Sequence, residues 1–161
     1  MKTEGSDSMG ARGQAIDPGR MDGYRLAVPI EVRFKDLDAM GHVNNAVYFT
    51  YFENARIAYW RALGKNRLKD DLAYVLARAE CDFKSPATMD DEILCHTRVA
   101  SFGRTSFAFE FLLRDRRSGR TIAQGRTVQA MYDYQTRSVR PLDEPLKEAI
   151  QRFEGRPIAS R

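Results

Sequence analysis

The sequence predicts an α+β domain, a curved antiparallel sheet carrying one long helix. Three observations predict it. Leu26, Val28, Ile30, Val32 and Phe34 alternate with other residues, the period of a strand with one buried face. Between Asn45 and Leu63 the period changes, and Tyr48, Phe52, Ala55, Tyr59 and Ala62 recur at the spacing of one helical face. Strand-like segments then follow one another through turns too short for crossovers, so they must pair antiparallel. A helix laid on one face of such a sheet buries the apolar side of both.

Taken in order, residues 1–23 form a polar, Gly-rich tail with too few large apolar groups to offset the entropy of ordering it, and disorder is expected there. The domain occupies residues 24–155. Its first strand ends where Asp36 to Gly41 breaks the alternation into a loop. Asn44 or Asn45 is the expected helix N-cap, because its side-chain oxygen can accept from an early helix N–H. Gly64 is the expected stop, which gives a helix of about five turns. Phe49, Tyr51, Ile57 and Trp60 lie off the main stripe, so this helix should be covered on several sides. Strands are then expected at Tyr74–Phe83, ending near Pro86, and at Glu92–Phe102, stopping at Gly103. A third is marked by Phe107, Phe109, Phe111 and Leu113, and a fourth, Thr121–Tyr134, is entered through a Ser118-Gly119 turn. Leu146, Ile150 and Phe153 mark a terminal helix capped by Asp143, and 156–161 is a short C-terminal tail.

The length, 161 residues, suits one domain with a real core. No apolar run approaches the roughly 18 residues of a membrane span. The N-terminus lacks the apolar middle of a signal peptide, so a cytoplasmic protein is expected. The net charge of +4 is mild. It would attract phosphates, but an excess of this size usually means a solvated surface. Cys81 and Cys95 fall in expected strands without C-x-x-C spacing and read as buried free thiols. His42 and His96 are far apart and make no metal motif.

The chemistry concentrates in Arg33-Phe34-Lys35-Asp36-Leu37-Asp38-Ala39-Met40-Gly41-His42-Val43-Asn44-Asn45. A strand runs into this stretch and the helix runs out of it. Asp38 therefore stands a few residues before a helix mouth, where unpaired N–H groups and the positive end of a dipole are found. An acid or base beside such donors can drive attack on a carbonyl.

The run from Asp36 to Asn45, followed by Tyr48 and Phe52-Glu53-Asn54-Ala55-Arg56, resembles the 4-hydroxybenzoyl-CoA thioesterase family, close to its acyl-CoA thioesterase branch. The resemblance covers roughly residues 26–145. It implies the hotdog fold, a curved antiparallel β-sheet wrapped around a long central α-helix. It implies hydrolysis of an acyl-CoA thioester to a carboxylic acid and coenzyme A, with no metal and no cofactor beyond the coenzyme A of the substrate. It also implies a homodimer, or a dimer-of-dimers tetramer, with active sites at the subunit interface. The family's essential aspartate falls on Asp38. The helix-start position whose N–H holds the thioester oxygen falls on Asn45, where some relatives carry an assisting histidine or tyrosine. A backbone donor survives that difference. Tyr48 falls on a tyrosine that lines the same cleft.

Asp38 can act as general base on water or as the nucleophile itself; its rival role is to cap a turn. Asp36, two residues away, is read as structural or as a surface residue, although in an extended loop the two would point the same way and one carboxyl would be raised. Gly41 either lets the loop backbone approach the substrate or serves as an ordinary turn glycine. His42 can carry a proton, with bonding inside the loop the favoured reading. Asn44 and Asn45 side chains are suited to capping. The substrate-binding candidates are thus Gly41, His42, Asn44 and Tyr48. Glu53 and Arg56 are spaced for a helix-face ion pair. Arg114, Arg116, Arg117 and Arg120 crowd one hairpin; they could meet coenzyme A phosphates, but solvated charge is favoured. The Gly103-Arg104-Thr105-Ser106 turn is a weaker signal. Rival functions are hydrolysis of acyl carrier protein thioesters, a non-catalytic acyl-CoA-binding or regulatory module, and nucleic-acid binding. Asp38 speaks against the second, and no aromatic–basic motif supports the third.

Overall fold

A computed structural model describes residues 21, 23–66 and 72–160, so the expected tail at 1–23 lies almost wholly outside the described residues. In chain order the elements are β1 (Leu26–Ile30), α1 (Val47–Ala62), β2 (Tyr74–Phe83), β3 (Ile93–Phe102), β4 (Ser106–Asp115), β5 (Thr121–Asp133), β6 (Ser138–Val139), α2 (Glu144–Glu154) and β7 (Ala159–Ser160). The main sheet runs β1-β3-β4-β5-β2, and every neighbouring pair is antiparallel. β1 and β2 are therefore its two edges. The short β6 folds back on β5, and β7 adds to β3 in parallel.

The period of two in β4 puts Phe107, Phe109, Phe111 and Leu113 on one buried face. The stripe of α1 lands on that face. Phe52 stacks on Phe111 with ring centroids 4.7 Å apart, Tyr59 meets Phe109 edge-on at 5.0 Å, and Trp60 meets Phe107 edge-on at 5.5 Å. Each such pair adds about 0.5–1.5 kcal/mol beyond simple burial. Arg56, also on α1, is buried, whereas Glu53 is exposed, and no ion pair joins them among the described residues. The spacing was right for a pair, but the core takes one partner and solvent the other.

The helix is shorter than the 45–63 stretch predicted, at 16 residues. The reason lies in Asn44. Its Oδ1 accepts from Ala46 N at 3.0 Å, and its carbonyl accepts from Val47 N at 2.9 Å. These bonds close a turn ahead of the helix, so the N-cap is Ala46 and makes no side-chain cap bond. At the other end Gly64 takes φ +82, the left-handed turn that favours glycine.

One close approach decides where α1 can sit. A Cβ built on Gly125 of β5 would lie 2.3 Å from the Phe52 ring. Gly125→Ala is expected to cost about 1–3 kcal/mol by overpacking, read from the urea midpoint at unchanged slope. An unaltered midpoint would show that the ring does not depend on that gap.

α2 begins at Asp143, whose Oδ1 accepts from Leu146 N at 2.9 Å, and ends at Gly155 with φ +67. Its last residue, Glu154, is buried and accepts from both Tyr59 Oη and Val99 N at 2.8 Å. One carboxylate oxygen thus joins α2, α1 and β3. Burial raises the Glu154 carboxyl, while the Val99 amide and the Tyr59 hydroxyl hold it back. The segment set apart in sequence as a C-terminal tail is partly built into the domain: Ile158 is buried, and Ala159–Ser160 pairs with β3. Both cysteines are free; Cys95 is buried as expected, but Cys81 on the edge strand is only half-buried. Among the described residues no helix is long and apolar enough to cross a membrane.

Candidate active site

The stretch between β1 and α1 folds as a tight hairpin. Leu37 and Val43 form an antiparallel bridge, Asp38 N donates to His42 O at 2.7 Å, and Asn44 N donates to Asp36 O at 2.8 Å. Gly41 closes the tip with φ +74, its amide bonded to Asp38 O at 3.1 Å. Nothing lies within 4 Å of the Cβ it lacks, so the backbone conformation, not a close approach, calls for glycine here.

Asp38 is exposed on this hairpin. Its Oδ1 accepts from Met40 N at 2.8 Å and from His42 N at 3.2 Å. Its Oδ2 accepts nothing from the described residues. The turn-capping and chemical roles are therefore compatible: one oxygen holds the loop, and the other remains available. His42 is exposed and enters the loop through its backbone.

Asp36 behaves differently. It is 2% exposed and accepts from Arg33 N, Arg33 Nη2 and Tyr51 Oη at 3.0, 2.8 and 3.0 Å. Burial pushes its carboxyl up, but the Arg33 and Tyr51 bonds outweigh that and hold it below the ordinary range. The expectation of two carboxylates facing one way is not met. A short 3-10 turn at Phe34–Asp36 sends Asp36 into the core, while the hairpin carries Asp38 outward.

Asn45 is exposed at the approach to α1, and its N–H finds no acceptor among the described residues. Asn44 serves the turn described above. Tyr48 lies within the first turn of α1 and is 3% exposed, its ring 5.0 Å from that of Phe83. Burial pushes its phenol up, opposed by the nearby Ala87 amide and by Arg120. The hairpin arm 42–44 thus links Asp38 at one end to the open amide of Asn45 at the other.

Sequence reasoning missed the support for this arm. Val43 N donates to Ala87 O at 2.8 Å, and Ala87 is fully buried. An alanine bonding through its carbonyl leaves no side-chain signal to find. Of the hairpin arginines expected to be solvated, Arg116 and Arg117 are exposed, whereas Arg114 and Arg120 are only partly so and are drawn into hydrogen bonds with the protein. Arg114 Nε donates to Gly119 O at 2.9 Å, Arg117 bonds Asp90 O, and Arg120 reaches Ser85, Pro86 and Asp91. Of these four arginines, only Arg116 has a side chain without a hydrogen bond to the described residues. The Gly103–Ser106 turn is an ordinary strand connection, with Gly103 N bonded to Ser106 O at 2.7 Å.

In the single chain neither Asp38 nor Asn45 lines the three clefts described, the roomiest of which, about 660 Å³, lies between β1 and the 89–92 turn. Large apolar side chains stand uncovered on the hairpin and on the 3-10 turn before it: Met40 is 80% exposed and Phe34 82%. Among the described residues no group of three or more His, Cys, Asp or Glu could hold a metal ion.

Residues 32–150 match the family model of the thioesterase-like superfamily. The structure is similar to that of a thioesterase complexed with coenzyme A and Zn from Thermus thermophilus, with 36% identity, a TM-score of 0.77, and coverage of 86% of this chain and 100% of that one. The sequence is 31% identical over 89 residues to the acyl-CoA thioesterase YbgC of Haemophilus influenzae, 53% of this chain and 65% of that protein. It is 23% identical over 133 residues to the long-chain acyl-CoA thioesterase FadM of Escherichia coli, 80% of this chain and 98% of that protein. The chain spans 56%, 66% and 65% of the length of the first curated relatives it matches.

Proposed function

The chain belongs to the thioesterase-like superfamily, and from that premise we propose that it hydrolyses acyl-CoA thioesters, releasing a carboxylic acid and coenzyme A. The observation that carries the reading is the hairpin: a carboxylate oxygen of Asp38 without a partner among the described residues, one short arm away from the open amide of Asn45. The names of the relatives above support the substrate class.

In this reading the thioester carbonyl oxygen accepts from Asn45 N–H and gains from the positive end of the α1 dipole. Asp38 takes a proton from water as its oxygen attacks the carbonyl carbon. The carbon–sulfur bond then breaks and the proton passes to the departing thiolate. Direct attack by Asp38, through a mixed anhydride that water then opens, uses the same atoms. Gly41 shapes the loop, His42 and Asn44 border it, and Tyr48 forms a wall. No cofactor is required beyond the coenzyme A of the substrate.

The catalytic domain begins near residue 24 and extends past residue 155, since Ile158 is buried and Ala159–Ser160 pairs with β3. Two copies associate, completing the site between them. The exposed Phe34 and Met40, and the long β2 edge that pairs on one side only among the described residues, support this. Free thiols at Cys81 and Cys95 suit a cytoplasmic home.

The test is thiol release from a panel of acyl-CoAs, with acyl carrier protein thioesters at equal concentration alongside. Turnover on the carrier protein alone would transfer the activity to that substrate, and binding without release would make the chain a non-catalytic module. Because the proposed donor is an amide, Asn45→Ala is expected to keep kcat within about tenfold of wild type, whereas loss of an oxyanion donor costs about 10²–10³-fold. A loss of that second size would assign the role to the side chain.

A further inference from the structure

The arm joining Asp38 to Asn45 is bonded to Asp36 O across its own hairpin and, among the described residues, to one residue outside the stretch between β1 and α1, Ala87, which is held by a clamp. Arg120 Nη1 donates to Ser85 Oγ at 2.6 Å and Pro86 O at 2.7 Å, and Nη2 donates to Asp91 Oδ1 at 2.5 Å. Asp91 Oδ2 accepts in turn from Thr88 N at 2.8 Å. These bonds grip the chain on both sides of Ala87. The clamp has a firm base as well. Asp115 accepts from Ser118 Oγ at 2.6 Å and from Glu92 N at 3.0 Å, fixing the hairpin that carries Arg120 against the same loop. Ser85 Oγ donates to Thr121 O at 2.8 Å. Val43 N then hangs from Ala87 O.

A planar guanidinium with several donors can bind three acceptors at fixed angles, which an ammonium cannot reproduce. We propose that Arg120 is a positioning residue for the hydrolysis: by fixing the 85–91 loop it sets Ala87, and through Val43 it sets the distance between the Asp38 carboxylate and the Asn45 amide. This rests on the thioesterase reading above. Arg120 touches neither substrate nor reacting atoms. Its effect is geometric, and displacement of a catalytic group by about 1 Å can cost on the order of a hundredfold in rate.

The experiment measures kcat and KM for thiol release, with thermal midpoints, for wild type, Arg120→Met, Arg120→Lys and Asp91→Asn, with Arg116→Met as a control. Arg120→Met is expected to lower kcat by about 10–100-fold, with KM within about twofold and assays run well below its midpoint. Asp91→Asn should lower kcat in the same direction, Arg120→Lys should recover only part of the loss, and Arg116→Met should match wild type. In an Asp38→Asn background, Arg120→Met should change the residual rate by less than about twofold, because residues acting as one unit are not additive.

Equal kcat in wild type and Arg120→Met would overturn the proposal. So would a full, additive loss in the Asp38→Asn background, or full recovery by lysine. Should Arg120→Met fail to fold, Asp91→Asn and the lysine variant decide by the same criteria. A wild type that hydrolyses no thioester defeats the functional reading itself, a different result from active wild type with insensitive variants.

Discussion

Asp38→Asn is expected to lower thioester hydrolysis by about 10²–10⁴-fold, the usual contribution of a positioned general base, while leaving fold and assembly unchanged. The hydrogen bonds explain why the two effects separate. Asparagine keeps an acceptor at Oδ1, so the bonds from Met40 N and His42 N survive and the hairpin keeps its shape. What is lost is the negative charge and the capacity to take a proton, on the oxygen that has no partner among the described residues. Thiol release, the thermal midpoint and light scattering together make the test. Wild-type turnover in a folded Asp38→Asn protein would remove Asp38 from the mechanism.

The second large effect falls two residues earlier and is of another kind. Asp36→Ala removes the acceptor of Arg33 and Tyr51 in the core. It leaves a buried hydroxyl and a backbone amide unpartnered, and Arg33, half in solvent, partly recovers by hydration. The expected loss is about 2–4 kcal/mol, a fall of roughly 5–15 °C in midpoint. The pH dependence has a definite sign. The Asp36 carboxyl lies lower in the folded state than in the unfolded chain, so its stabilisation is complete above the unfolded value near ~3.9. It disappears as pH falls through the depressed folded value. The stability difference between wild type and Asp36→Ala should therefore shrink below about pH 4. A difference that stays constant from pH 7 down into acid would mean that the carboxylate charge contributes nothing. Other low carboxyls, such as Asp115, held down to about 2 mainly by Ser118, titrate in both proteins and cancel.

These two aspartates show how far the sequence could be read. Most strands were legible because burial on one face imposes a period of two, and β4 announces itself through Phe107, Phe109, Phe111 and Leu113; the first strand was read too far, since β1 ends at Ile30 and Phe34 stands exposed in the 3-10 turn. The helix was legible through its stripe, and of the structural and surface roles that the sequence left open for Asp36 the structure takes the buried one. The direction of each carboxylate was not legible, because it depends on a short 3-10 turn and a hairpin tip with no periodic signature. Asn44 has the right chemistry for a cap, yet it closes the preceding turn; the choice is made by backbone geometry rather than residue type. Ala87 and Arg120 were out of reach for a further reason. Their contacts join side chains to backbone atoms many residues away, and nothing local records them.

Glu154 has a consequence for how this molecule is made. Its single oxygen satisfies a hydroxyl from the first half of the chain and an amide from the middle, and it is among the last residues of the domain to be synthesised. A nascent chain still attached to the ribosome without α2 would leave Tyr59 Oη and Val99 N stranded in an apolar interior. Closure of the core is therefore deferred until α2 has been synthesised, and a stop codon before position 154 should yield a chain that aggregates instead of a folded, truncated domain.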